Sequence, residues 1–185
     1  MARTPRVASA LLLIFLTGIS AAQGSAHSWK IQSPYPDNPL KQALLSGAAN
    51  LGKLTTRTDL QLECRPDGDG PRLNLIFDPS EVRLDADPFE GPGGLGERTS
   101  LRLTLGKTTW SHHFSGYFIA AKTFVLSFAL SSAEARLSTS GTASQPLTIS
   151  VDPAKPGEPL RFVFELPAGN QAVRSMVAPC LNPRR

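Results

Sequence analysis

Apolar residues recur at every second position in four separate segments of this chain, and that spacing constrains the fold more than any other feature. The segments are Leu60–Cys64, Leu73–Phe77, Leu101–Leu105 and Phe162–Leu166. Successive side chains of a strand point to opposite faces of a sheet, so each segment can bury one face in a core. The pattern predicts a β-rich protein.

Two turns connect these predicted strands into hairpins. Arg65–Pro71 is rich in Gly, Asp and Pro, and Gly106-Lys107 fits a two-residue hairpin turn. The second turn fixes a register in which His113 points away from the leucine face. The facing pairs are then Leu105 with Thr108, Leu103 with Trp110, and Leu101 with His112.

Other segments show a helical or mixed pattern. Apolar residues at helical spacing in Leu40–Leu51 predict a short helix, and those in Ala172–Val177 predict a last helix. Phe124–Ala129 also has helical spacing, but its β-branched and aromatic composition leaves a strand open. We expect further short strands at Val82–Leu84 and from Ala135 to Ser138.

Taken together, the segments predict a β-rich α+β fold. It is either a β-sandwich or a curved antiparallel sheet, covered by one or two helices. Residues 1–22 are expected to be an export signal, with 1–26 as the alternative. Residues 23–55 would form a lead-in with the short helix, and residues 56–182 a single β-rich domain.

The N-terminus has the three parts of an export signal. Arg3 and Arg6 precede the apolar run Ala8–Ile19, and small residues around Ala22 fit a cleavage site. The run is about 12 residues long, shorter than the roughly 20 that a spanning helix needs. We therefore expect a soluble, periplasmic protein without a membrane span after cleavage.

The chain contains only two cysteines, Cys64 and Cys180. An even number of cysteines in an exported chain favours a disulfide. The two are not in C-x-x-C spacing, and two thiols alone make a poor zinc site. We expect one structural disulfide that ties the last helix to the first long strand.

The charge of the chain does not indicate nucleic-acid binding. Loss of Arg3 and Arg6 with the leader lowers the formal net charge from +4 to +2, and Arg184 and Arg185 account for the remainder. The body has no stripe of Lys and Arg of the kind that contacts phosphates.

No motif in the sequence indicates catalysis or a bound metal. Ser115-Gly116 lacks the first glycine of G-x-S-x-G, because His113 stands there, and Gly91–Gly96 is not followed by G-K-[ST]. His112 and His113 are adjacent in a strand and should point to opposite faces, with His112 packing on the leucine side. We predict no catalytic residue, no metal and no cofactor.

The best candidate for a partner contact is the acidic segment before the glycine-rich loop. It combines Asp85, Asp87 and Glu90 with the apolar Phe89, a mixture more typical of a protein contact than of catalysis. The spacing does not match a calcium loop. His113 is expected to be exposed and to add to this contact.

The order of these segments resembles a known group of exported proteins. A cysteine ends an early strand (Leu60–Cys64), a Leu/Arg strand leads to Trp110, Phe124–Leu130 is rich in phenylalanine, and Phe162–Leu166 leads through glycine to a helix and Cys180. This order resembles the type VI secretion-associated VasI/TagO-like periplasmic proteins. It is similar, less specifically, to the invasion-associated locus B proteins.

The resemblance implies a non-enzymatic role in the cell envelope. Small periplasmic proteins in the type VI setting are often immunity proteins, so the expected partner is a secreted toxin encoded nearby. One alternative is an accessory or structural envelope protein that assists type VI secretion. Another is a periplasmic hydrolase with an unrecognised site, which should have a deep pocket with His112 or opposed acidic residues.

Overall fold

The computed structural model describes residues 28–85, 87–91, 94–95, 99–120, 122–141 and 143–181. The predicted leader, both cleavage sites and the C-terminal arginines lie outside these residues. The strands and helices, in chain order, are β1 Lys30–Gln32, β2 Lys41–Leu51, β3 Leu54–Cys64, β4 Arg72–Phe77, β5 Glu90–Gly91, β6 Gly94–Leu95, β7 Leu101–Leu105, β8 Thr108–His112, β9 Ser115–Ala120, β10 Thr123–Ala129, α1 Ser132–Ser140, β11 Gln145–Val151, β12 Leu160–Leu166 and α2 Gln171–Val177.

Ten of the strands form one antiparallel sheet that curls into a half-barrel. Its order is β8-β7-β11-β12-β2-β3-β4-β10-β9, with β1 also paired to β2. If the sheet were flat, its nine strands in a row would place β8 and β9 about 38 Å apart at the usual distance between neighbouring strands. Only His113 and Phe114 connect these two strands, and three Cα–Cα steps reach at most about 11 Å. The sheet must therefore curl until the end of β8 lies close to the start of β9.

The core lies on the concave face of this sheet. Alternate residues of most strands point inward, as the two-residue spacing predicts, and Phe77 of β4 contacts Phe162 of β12 edge to face at 5.3 Å. The predicted hairpins are confirmed. Leu62 pairs with Leu73, and the register around Gly106 places Leu103 opposite Trp110 and Leu101 opposite His112.

The predicted helix at Leu40–Leu51 is wrong, because this segment is strand β2. It pairs with β3 along its whole length, from Lys41 with Cys64 to Leu51 with Leu54, and with β12 at its C-terminal end. The ladders on both sides outweigh a helical spacing that these residues also satisfy. β2 thus joins the predicted lead-in to the main sheet.

Three further segments have a secondary structure that differs from the simplest prediction from their sequence. Phe124–Ala129 is the strand β10, which was the open alternative to a helix. The strand expected from Ala135 to Ser138 is wrong, since these residues lie in α1, where Ser131 and Glu134 form a capping box. The strand expected at Val82–Leu84 is a turn, in which Arg83 has a φ of 51°.

The disulfide between Cys64 and Cys180 is formed, as the sequence predicts. It joins the end of β3 to the short 3-10 turn that follows α2, and both cysteines are buried. The two helices pack on each other, and α2 also contacts β2 and β3. Among the described residues no helix is long and apolar enough to cross a membrane.

Candidate functional site

Three consecutive apolar side chains are exposed on β9. Tyr117, Phe118 and Ile119 are 45%, 61% and 60% exposed. We call these three residues the β9 surface. Phe118 lies on the face of its ladder partner Phe124, Tyr117 points to the opposite face, and Ile119 follows Phe118, so the three side chains surround the end strand rather than form one flat patch. Isolated exposed apolar residues are common on proteins, but three large ones in a row on an end strand are typical of an interaction site.

The position of β9 at the end of the sheet explains this exposure. Within the described residues, β9 is paired only with β10, so its other edge carries no strand of the ten-stranded sheet. The register also shifts inside the pair, because Thr123 faces Ala120 while Phe124 faces Phe118. Ile119 is thus the extra residue of a β-bulge and has no partner on β10.

Phe118 is held in place although it is exposed. Its ring lies 4.8 Å from the ring of Phe124 in an edge arrangement, and Phe124 in turn packs against Phe77 in the core. A ring anchored in this way loses little side-chain entropy when a partner covers it. The β9 surface therefore rests on the rigid part of the fold.

The hairpin that includes the end of the predicted partner-binding segment lies next to this surface. After the 3-10 turn Asp87–Phe89, residues Glu90–Gly91 and Gly94–Leu95 form the small hairpin β5–β6, and β6 lies beside β9. His113 comes two residues before β9 and is exposed, as predicted. The fold thus brings part of the predicted contact next to a surface that the sequence analysis did not identify.

The residues predicted to contact a partner differ in their exposure. Asp85 and Asp87 are exposed, and Asp87 lies 2.6 Å from Lys155 Nζ. Phe89 is 3% exposed and belongs to the core, which corrects the expectation that it offers an apolar contact to a partner. Glu90 is in β5, and its side chain lies outside the described set.

The acidic residues near the start of β10 line a groove of about 270 Å³. Each of its carboxylates has a polar partner. Ser80 donates to Asp78 through its hydroxyl and its backbone N–H, which holds the pKa of Asp78 below the usual 3.8. Asp59 accepts from Ser46, and Glu81 accepts from Thr56. The described residues hold no cluster of three or more His, Cys, Asp or Glu placed for a metal ion.

His112 is a partly buried packing residue, as predicted, and it has a partner that the sequence analysis missed. Its ring lies 5.0 Å from that of Phe128, and its Nε2 lies 2.7 Å from Glu134 Oε1. The side chains of His112 and Glu134 are 13% and 4% exposed. The S-x-x-E signal at Ser131 could have identified Glu134 as a capping residue, but not as the partner of a distant histidine.

Comparison with protein-family models, with curated proteins and with solved structures finds no match for this chain.

Proposed function

We propose that this protein is an exported, non-enzymatic binding protein whose β9 surface holds a protein partner. The observation that carries the proposal is the run Tyr117-Phe118-Ile119, exposed on the end strand of the sheet. Aromatic and large aliphatic side chains are the usual anchors of protein interfaces. The exposed His113, two residues before β9, would belong to the polar rim of the same contact.

In its most specific form, the proposal is that of a periplasmic immunity protein for a toxin delivered by type VI secretion. The protein would occlude the active site of the effector or hold it inactive. A disulfide-closed half-barrel suits this role, because a preorganised binder loses less entropy on association than a mobile one. The disulfide is also compatible with an oxidising compartment.

The first test is protection from the effector. The protein and the effector encoded by a neighbouring gene are co-produced in the periplasm, and growth and co-purification are measured. We expect growth to be restored and a stable complex to be recovered. Continued toxicity together with no complex would refute the immunity role.

The second test addresses the surface. Ile119→Asp places a charge on the β9 surface without removing a ladder partner, and we expect it to weaken the complex at least about tenfold. The matched control is Leu137→Asp, because Leu137 is also a large exposed aliphatic residue, at 45%, but lies on α1. Equal binding by both variants, measured by isothermal titration calorimetry, would exclude the β9 surface as the contact.

A further inference from the structure

A close contact between a partly buried histidine and a buried glutamate joins the two ends of the curled sheet. His112 is the last residue of β8, at one end, and Glu134 lies in the first turn of α1. α1 begins directly after β10, which is the neighbour of the other end strand, β9. Nε2 of His112 and Oε1 of Glu134 are 2.7 Å apart across this junction.

The two facing atoms depend on each other for a polar contact. His112 Nε2 and Glu134 Oε1 are buried atoms that make no hydrogen bond among the described residues, so the 2.7 Å approach to each other is the polar contact that both have there. A charged group removed from water costs several kcal/mol unless it is paired, so loss of one partner leaves the other in an unfavourable state. Removal of one partner is therefore expected to destabilise the junction between the two elements.

Glu134 is also fixed from the other side. Its Oε2 accepts from the backbone N–H of Ser131 at 2.7 Å, and its own N–H donates to the Ser131 hydroxyl at 3.3 Å. The carboxylate is thereby tied to the start of α1, while the ring of His112 packs on Phe128 of β10. The pair connects β8 to both elements that follow β9.

We propose that His112 and Glu134 form a latch that closes the half-barrel at the corner between β8 and β9. Only His113 and Phe114 separate the latch from the start of β9. Closing the corner fixes the direction in which β9 leaves it. The further consequence, that the latch orients the β9 surface for a partner, rests on the proposed function.

The latch itself is tested on the free protein by hydrogen–deuterium exchange. Glu134→Gln keeps the size of the side chain and removes its charge. We expect the ladder amides of β9 next to the corner, from Ser115 to Tyr117, to exchange at least about tenfold faster, because the corner opens without global unfolding. His112→Gln removes the other partner of the contact and should produce the same change in exchange. If Glu134→Gln does not fold, His112→Gln alone provides the test.

Two comparisons separate a latch from a general loss of stability. Ser131→Ala removes the hydroxyl cap of α1 but leaves Glu134 facing His112, so its effect should stay within the first turn of α1. The double variant His112→Gln/Glu134→Gln should exchange no faster than the more affected single variant, since both act through one contact. Unchanged exchange at the corner in Glu134→Gln, or multiplicative effects in the double variant, would overturn the proposal.

The outcome is independent of the partner. Exchange is measured without the effector, so a loosened corner supports the latch even if Ile119→Asp leaves binding unchanged and the proposed function fails. Conversely, if Ile119→Asp weakens binding while exchange in Glu134→Gln is normal, the β9 surface is supported as the contact and the latch proposal is refuted.

Discussion

Gly47 decides how two central strands meet. β12 pairs with β2 only from Leu160 with Leu51 to Val163 with Ala48, and the ring of Phe164 then lies over Gly47. A Cβ on Gly47 would be 2.3 Å from Phe164 Cδ1 and 2.4 Å from Val163 O. The missing side chain allows β12 to turn away while β1 takes over the next part of the β2 edge.

Gly47→Ala is therefore expected to destabilise the protein. In an open strand position this change is favourable by roughly 0.5–1 kcal/mol, but here the backbone oxygen of Val163 must move, and we expect a net loss of about 1–3 kcal/mol. Urea denaturation measures the change. Gly157→Ala is the control, because its Cβ would meet Pro88 Cβ only at 3.4 Å. Equal stability of both variants would contradict the role assigned to Gly47.

At the scale of elements, helix α1 is stabilised at both ends by side chains. The capping box satisfies its N-terminus. At the C-terminus, Arg174 of α2 donates through Nε to Thr139 O at 2.8 Å and through Nη2 to Ser140 O at 3.4 Å. A positive charge and hydrogen bonds at this end offset the unpaired carbonyls of the last turn. Arg174 thus couples the two helices.

Removal of this contact should lower the stability of the protein. We expect Arg174→Ala to cost about 1–2 kcal/mol, since two carbonyls lose a charged donor. Arg174→Lys keeps the charge but not the forked donor, so its loss should be smaller. Arg136→Ala, an exposed position on α1, should change the stability by less than about 0.5 kcal/mol. A loss for Arg136→Ala as large as that for Arg174→Ala, in the same urea assay, would show that the contact is not responsible.

At the scale of the whole molecule, one covalent bond connects the first half of the sheet to the C-terminal helix. Cys64 and Cys180 are 116 positions apart in the sequence. Closing so long a loop restricts the unfolded chain strongly, and the chain-entropy estimate for such a loop is roughly 4–5 kcal/mol. The bond also holds α2 against the edge of the concave core, where β2 and β3 pass beneath it.

The variant Cys64→Ala/Cys180→Ala is expected to be less stable by about 4 kcal/mol. Guanidinium denaturation of the oxidised protein, of the protein reduced by dithiothreitol and of the double variant tests this. The reduced protein should resemble the variant, because both lack the same cross-link. An oxidised protein that is no more stable than either of them would refute the stabilising role.

Much of the fold could be predicted, and two of the segments that differ have mixed spacing in common. Segments with strict two-residue spacing, such as Leu101–Leu105 and Phe162–Leu166, are strands with the expected inward face. Leu40–Leu51 and Phe124–Ala129 contain apolar residues at both two-residue and helical intervals. Their state was decided by ladders on both sides: each pairs with the adjacent strand of a hairpin, β3 or β9, and with a strand distant in the chain, β12 or β4.

Less of the candidate site could be predicted. The sequence predicted the loop before β6 and the exposure of His113. It assigned the apolar contact to Phe89, which is buried in the core. The β9 surface carries a signal, because Tyr117-Phe118-Ile119 is a run of large apolar residues without a charge. Its exposure follows only from the place of β9 at the end of the sheet.

Sequence alone determined what depends on local spacing: the strand periodicity, the register of the hairpin at Gly106 and the single pair of cysteines. Tertiary structure alone decided what depends on which segments become neighbours. The curl of the sheet, the exposed end strand β9 and the contact of His112 with Glu134 belong to that second group. The reason is physical, because burial and pairing of a residue are set by groups far away in the chain, whose approach no local pattern encodes.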